Sequence, residues 1–222
     1  MFNKFKELFS SENLLQTAFA TTLTMLDFDY KMYDASRKVL RDSDTSELPF
    51  DIRQTDRKIN KYEREVRRKV LTHLTIAGTQ NLVPGLALVS IVIDVERIGD
   101  YTKNIAGLAN THPTKLHGGK QEARIKSIED VIEQHFPTVI EVLKTQDKEK
   151  ARKILRAEEE IGKLSDEIVN DLILEKDKKM STSDSVSLAM YARYLKRINA
   201  HLTNIASSIV NPFPRIGFRE KK

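Results

Sequence analysis

Apolar residues recur at spacings of three, four and seven along most of the chain, with charged residues between them. This period places the apolar side chains on one face, so each such stretch predicts an amphipathic helix that packs against a core. Four stretches show the pattern clearly, and their stripes run from Ala18 to Tyr33, from Ile52 to Val70, from Ile125 to Leu143 and from Ile154 to Leu172.

The segment LVSIVIDV, residues 88–95, fits two structures, because a short β-branched run is typical of a buried strand or of a buried helix. An internal repeat favours the helix. The sequence VERIGDYTKNIA, residues 95–106, aligns with LKRINAHLTNIA, residues 195–206, at an offset of 100. The residues before the second copy, SVSLAMYARY, are typical of a helix, so we expect the first copy to be helical too.

The stripes that begin at Ile52 and Ile154 also align, at an offset of 102. We therefore predict an all-α protein, a tandem duplication of an antiparallel three-helix bundle with six long helices. The first repeat is placed at residues 11–110 and the second at residues 118–212, with a break at THPTKLHGGK. Because the offsets differ by two, we expect the connection between the second and third helices to be two residues longer in the first repeat.

Two terminal segments lie outside the repeats. In residues 1–10, Phe2, Phe5 and Phe9 share one helical face, which predicts a short amphipathic element that packs on the end of the bundle. Contact with a membrane surface or another protein is the alternative. Residues 213–222 form a basic tail that we expect to be mobile and weakly attracted to an anionic membrane.

Composition limits the compartment and the chemistry. The chain has 222 residues, is 40% hydrophobic and 31% charged, and contains no cysteine. Disulfides, thiolate zinc sites and a cysteine nucleophile are therefore excluded. The longest apolar run, residues 82–93, is shorter than the roughly 20 residues of a membrane-spanning helix. We expect a cytoplasmic protein that touches the inner face of the membrane only peripherally.

Charge and motifs argue against nucleic acid and against catalysis. The net charge of +5 is modest, and Lys and Arg are interleaved with Asp and Glu along the sequence. We therefore predict no nucleic-acid partner. The five histidines form no i,i+4 pair, and neither HExxH nor a nucleophile elbow occurs. We therefore predict that the chain is not an enzyme.

Glu96 and Asp100 stand one helical turn apart and so share a face, where like charges destabilise an isolated helix. A bound cation would reverse that cost, since hard divalent ions take carboxylate oxygens as ligands. The alternative is that Asp100 pairs with Arg97 or Lys103, that Glu96 is solvated, and that no metal binds.

The chain resembles the PhoU family of phosphate-transport regulators, which consist of two three-helix repeats. Three features carry the resemblance: the signature Glu96-Arg97-Ile98-Gly99-Asp100 followed by Asn104-Ile105-Ala106, a degenerate second copy, and the stretch DRKINKYE from Asp56 to Glu63 ahead of the first copy. The resemblance implies a divalent or transition metal (Mg, Mn, Fe or Zn) on Glu96 and Asp100, with Asp56 and Glu63 completing the shell.

The resemblance also implies the function. It is that of a non-catalytic regulator of phosphate transport and phosphate-starvation signalling, which contacts a phosphate transporter, through its cytoplasmic ATPase or membrane subunit, and a sensor histidine kinase. A homodimer stays open. The alternatives are a metal-dependent phosphohydrolase or metal-storage bundle, and an accessory regulator of a different phosphate carrier.

The second signature is degenerate, because Lys196, Asn199 and Ala200 replace its Glu, Gly and Asp. We predict that the Lys196 ammonium occupies the space of the lost metal ion and neutralises the carboxylates of the neighbouring helix, which are Glu158, Glu159 and Asp166. The alternative is that Lys196 points to water. Both repeats keep the Arg and the Asn of the signature, Arg97 and Arg197, Asn104 and Asn204, which we interpret as polar contacts that stabilise the bundle.

Overall fold

The computed structural model describes residues 14–44, 47–112 and 114–220. These residues form six long helices and no strand, as the sequence predicts. The helices are α1 (Leu14–Asp42), α2 (Ile52–Ala77), α3 (Leu82–Thr111), α4 (Glu122–Thr145), α5 (Lys148–Ile173) and α6 (Thr182–Val210). The segment 88–95 is part of α3, so the helical prediction is confirmed. The predicted amphipathic element at residues 1–10 lies outside the described residues.

The two repeats are built alike. Helices α1, α2 and α3 pack together, as do α4, α5 and α6. The second helix of each repeat begins at an aspartate cap: Asp51 Oδ1 accepts from the Gln54 amide, and Asp147 Oδ1 accepts from the Lys150 amide, both at 3.0 Å. Such a cap satisfies one of the free amides at a helix start and fixes where the helix begins.

Helices α3 and α6 join the repeats along an antiparallel interface. Asp94 accepts from His201 Nδ1 at 2.7 Å and from Asn204 Nδ2 at 3.0 Å, while Tyr101 contacts Arg197 further along. Helices α1 and α4 add a second contact, where the rings of Tyr30 and Tyr33 pack on Phe136. Buried apolar residues of all six helices form one core. Because α3 and α6 run antiparallel, the connection that precedes α3 and the connection that precedes α6 lie at opposite ends of the bundle.

One predicted loop length is wrong. The third helices begin at equivalent positions, Leu82 and Thr182, but residues 78–81 separate α2 from α3, whereas residues 174–181 separate α5 from α6. The connection is thus longer in the second repeat. Helix α2 continues six residues beyond Leu71, the equivalent of Ile173, and takes up the additional length. In the second repeat α5 ends at Ile173, and Glu175 in the following turn has a left-handed φ of 49°.

Residues 213–220 of the C-terminal tail make contacts with the bundle. The Gly217 amide donates to Ser207 Oγ at 2.7 Å, and Asn211 Nδ2 donates to the Phe218 carbonyl at 2.6 Å. Glu220 forms two hydrogen bonds of 2.8 Å with the Arg152 guanidinium. This segment therefore packs against α5 and α6, because its backbone and its charges find partners there.

One part of the chain is apolar enough to cross a membrane by length and composition alone. It is an 18-residue window within Ile52–Thr111, with a mean hydropathy of 1.7. The window is longer than the uninterrupted apolar run of residues 82–93, because it also includes polar residues. Charged residues are frequent in α2 as far as Lys69 and occur again from Asp94 onward, so the window covers the α2–α3 connection and the first part of α3. Only 33% of the window is buried.

Candidate functional site

The structure brings all four predicted metal ligands to the face that α2 shares with α3. Asp56 and Glu63 lie on α2, Glu96 and Asp100 lie on α3, and their side chains are 14–30% exposed. Ile98, between the two α3 carboxylates, is fully buried. The signature thus points its apolar residue into the core and holds its carboxylates at the edge of the α2–α3 contact.

Gly99 allows α1 to approach this face closely. A Cβ added at Gly99 would lie 2.9 Å from Asp29 Oδ1 and 3.3 Å from Ile59 Cδ1. The first distance is too short for a side-chain contact. The glycine of the signature therefore makes room for the Asp29 carboxylate beneath the site.

Asp29 is a member of the carboxylate group that the sequence analysis missed. It is fully buried, and neither of its oxygens has a hydrogen-bond partner among residues 14–44, 47–112 and 114–220. Burial raises the pKa of Asp29 well above its usual range, and the nearby charges of Glu96, Asp56 and Asp100 raise it further. Burial, then Asp100, raises the pKa of Glu96 as well. One signal was visible: Asp29 interrupts the apolar stripe of α1.

The Lys103 ammonium lies between two of the predicted ligands. Its Nζ donates to Asp56 Oδ1 at 3.0 Å and to Asp100 Oδ1 at 2.8 Å, which ties α3 to α2. Burial alone would lower the pKa of Lys103, but the hydrogen bonds to Asp100 and Asp56 outweigh it and raise the pKa above its ordinary value. Lys103 is therefore held as a cation within the carboxylate group.

The other carboxylates also have cationic neighbours. Glu63 pairs with Arg67 at 2.8 Å, and Arg97 lies 3.3 Å from Asp100 and 3.6 Å from Glu96. In the part of the chain that the structure describes, no three His, Asp or Glu side chains are arranged to hold a metal ion. With Lys103 in place the residues do not fit a resident metal, and a metal ion would have to displace its ammonium.

Replacing Lys103 by methionine is expected to create a measurable cation site. The substitution leaves Asp56 and Asp100 without their shared ammonium, beside Glu96 and Asp29, and divalent ions prefer such oxygen ligands. Calorimetric titration with Mn²⁺ should show at least about tenfold tighter binding to Lys103→Met than to the wild type. Lys103→Arg, which keeps the charge, is the control. Equal Mn²⁺ affinity of all three proteins would show that Lys103 does not occupy the site.

The second signature also contains an ammonium. Lys196, at the position equivalent to Glu96, donates to Asp166 Oδ2 at 2.6 Å and to Asp166 Oδ1 at 2.8 Å. The prediction that Lys196 neutralises a carboxylate of the neighbouring helix is confirmed for Asp166. Glu159 pairs instead with Arg219 of the C-terminal segment, at 3.0 Å.

The Arg and Asn residues shared by the two signatures differ in role. Arg197 Nε donates to the Tyr101 hydroxyl at 3.1 Å, and Asn204 bonds Asp94, so both second-repeat residues join the repeats as predicted. The interpretation is wrong for the first repeat. Among the residues that the structure describes, Arg97 forms ion pairs only with carboxylates of its own helix, and Asn104 is exposed.

A buried ionic network between α1 and α4 was also missed. Arg41 Nε donates to Glu129 Oε1 at 2.9 Å, and the Tyr191 hydroxyl of α6 donates to the same oxygen at 2.8 Å. Arg41 also donates to Glu122 and to the Leu116 carbonyl. The sequence contains no signal for this network, because Arg41 lies 88 positions before Glu129 and Tyr191 lies 62 positions after it.

Comparison with known proteins agrees with this two-repeat architecture. The model of the PhoU domain matches residues 22–109 and again residues 125–209, which are the two three-helix units. The chain belongs to the PhoU family. A relative from Synechocystis, named phosphate-specific transport system accessory protein PhoU homolog, is 21% identical over 168 residues, covering 73% of each chain.

Solved structures of PhoU proteins share the fold. The crystal structure of PhoU from Pseudomonas aeruginosa has a TM-score of 0.78 at 21% identity, covering 89% of this chain and 95% of the other. The phosphate transport system regulatory protein PhoU from Streptococcus pneumoniae has a TM-score of 0.69 at 15% identity, covering 92% and 93%. The predicted family and fold class are therefore confirmed.

Proposed function

We propose that this chain regulates phosphate transport and the phosphate-starvation response, without catalysis, by binding other proteins in the cytoplasm. The proposed partners are a phosphate transporter, through its ATPase or membrane subunit, and a sensor histidine kinase. The match of both repeats to the PhoU domain carries the proposal, since PhoU-family proteins are phosphate-transport regulators and not enzymes. The Synechocystis relative is itself named as a transport accessory protein.

The architecture is consistent with action by contact. One core runs through both repeats, so the exposed faces of the bundle are held in fixed positions. The charged side chains of α5 are available to a partner protein, because the apolar stripe of that helix faces inward. A docking function of this kind needs a rigid surface and no enclosed pocket.

The degenerate second signature favours one variant of this function. Lys196 and Ala200 remove both signature carboxylates from the second repeat, so the two halves present different chemistry to a partner. We infer that the chain serves a phosphate carrier other than the one served by proteins with two intact signatures. The metal-dependent phosphohydrolase and metal-storage alternatives find less support, because Lys103 and Lys196 bind the carboxylates that a metal would need.

Affinity capture from the protein's own cells tests the proposal. The tagged chain is purified from cells grown with ample and with scarce phosphate, and the co-purified proteins are identified. We expect a phosphate transporter or a sensor histidine kinase, in amounts that depend on the phosphate supply.

A further inference from the structure

The outer face of α2 carries a continuous line of cations. Its members follow one another at spacings of four, four, three and four, and all are exposed: Arg53, Arg57, Lys61, Arg64 and Arg68, here named the outer stripe. The opposite face buries Ile52, Ile59, Val66 and Val70. At about 1.5 Å rise per residue, the outer stripe is roughly 22 Å long.

Acidic residues do not balance the outer stripe. In the described ranges of the chain none of its five members forms an ion pair with a carboxylate. The three carboxylates of α2 are taken by other cations, Asp56 by Lys103, Glu63 by Arg67 and Glu65 by Lys69. Helix α2 contains eight Lys and Arg against three Asp and Glu, an excess that equals the net charge of +5 of the whole chain. The excess positive charge is therefore concentrated on this one helix.

The second repeat shows that the fold does not require these cations. Helix α5 is the equivalent of α2 at an offset of 102, and it has Leu155, Glu159, Lys163, Asp166 and Asn170 at the five positions. Like charges one turn apart destabilise a helix, so a line of five has a cost. The same helix position folds without it in α5, which points to a binding role for the outer stripe.

Exposed apolar side chains continue from the end of the outer stripe. Leu71, three residues after Arg68, is 69% exposed, and Ile76 is 78% exposed. Leu82 and Val83, across the connection at the start of α3, are 41% and 38% exposed. Together these four residues are named the apolar end.

We propose that the outer stripe and the apolar end bind the surface of an anionic lipid bilayer. Lysine and arginine near an anionic leaflet are attracted to its headgroups, and apolar side chains beside them enter the headgroup boundary. A bilayer supplies both interactions along one plane, whereas an acidic protein surface would match only the cations. This inference goes beyond regulation by protein contact and would place the chain beside membrane-embedded partners.

Vesicle co-sedimentation of the full chain tests the proposal with purified components. The vesicles contain phosphatidylcholine alone or with about one third phosphatidylglycerol, at low and at high salt. The stripe variant replaces four exposed cations of α2: Arg53→Gln, Arg57→Gln, Lys61→Gln and Arg64→Gln. The control variant makes the same change in net charge on other helices: Lys144→Gln, Lys153→Gln, Arg156→Gln and Lys163→Gln. Circular dichroism confirms that both fold.

We expect the wild type to bind only the phosphatidylglycerol vesicles, and the stripe variant to bind them at least about tenfold more weakly. The control variant should lose less than about threefold, and Leu71→Gln should weaken binding without changing its salt dependence. Absence of wild-type binding, or an equal loss in the stripe and control variants, would overturn the proposal. So would a stripe variant that keeps vesicle binding but loses the captured transporter or kinase, since the outer stripe would then bind a protein.

Discussion

Replacing Arg41 by methionine should destabilise the protein by about 3–5 kcal/mol, because it leaves the buried Glu129 carboxylate without its cation. The Arg41 and Glu129 side chains are 5% and 2% exposed, so water cannot take over the lost interaction. Within the described part of the chain, only the Tyr191 hydroxyl would still donate to Glu129. For a chain of this size the melting temperature should fall by roughly 6–20 °C.

Urea unfolding followed by far-UV circular dichroism measures this effect. The matched control is the double variant Arg41→Met, Glu129→Leu, which removes both charges and should recover most of the lost stability. A loss below about 1 kcal/mol in the single variant would mean that the Arg41–Glu129 pair does not hold α1 to α4.

Replacing Asp29 by asparagine should stabilise the protein, and the gain should grow with pH. Folding buries this carboxyl without a hydrogen-bond partner and raises its pKa well above its usual range. The folded protein therefore keeps a proton that the unfolded chain releases near pH 3.9. Stability must then fall as the pH rises from that value towards the folded pKa, and it stays low above it. Because asparagine does not titrate, the variant does not lose stability in this way as the pH rises.

We expect the free energy of unfolding of Asp29→Asn to exceed that of the wild type by about 1–3 kcal/mol near pH 8, and by less near pH 5. Asp27→Asn is the matched control, since Asp27 lies on the same helix, is half exposed and pairs with Lys31. It should change stability by less than about 0.5 kcal/mol at either pH. A gain for Asp29→Asn that is independent of pH would contradict the account of this buried carboxyl.

The fold was predictable because its signal is local and repeated. The apolar stripes at Ile52 and Ile154 identify two helices by their period, and the alignment of residues 95–106 with 195–206 decides the ambiguous segment. The ends of the helices were less predictable. Whether α2 stops at Leu71 or continues to Ala77 depends on local turn geometry, and the spacing of apolar residues carries no information on it.

The candidate site was predictable only in part. The spacing of Glu96 and Asp100 places both on one face, and Asp56 and Glu63 lie opposite on α2. Lys103 was considered as a partner of Asp100, but its second bond to Asp56 depends on the packing of α2 against α3. Asp29 reaches the site from α1, which only the tertiary structure brings near.

The outer stripe shows how a linear sequence conceals a charged surface. Along the sequence of α2, three acidic residues stand among eight basic ones, so the charge appears mixed. In the helix the charges are separated. Asp56, Glu63 and Glu65 pair with other cations, while the residues of the outer stripe stay exposed. Charges that are mixed along the sequence can be separated on the helix surface, and a binding partner contacts the surface.

The measurement that tests the central claim most directly is quantitative affinity capture under the two phosphate supplies. A tagged unrelated protein of similar charge, expressed in the same cells, sets the background. The account predicts that a phosphate transporter or its sensor kinase is enriched above this background and that the enrichment changes with phosphate. Recovery of neither partner under either supply would contradict the claim that this PhoU-family chain regulates phosphate transport by protein contact.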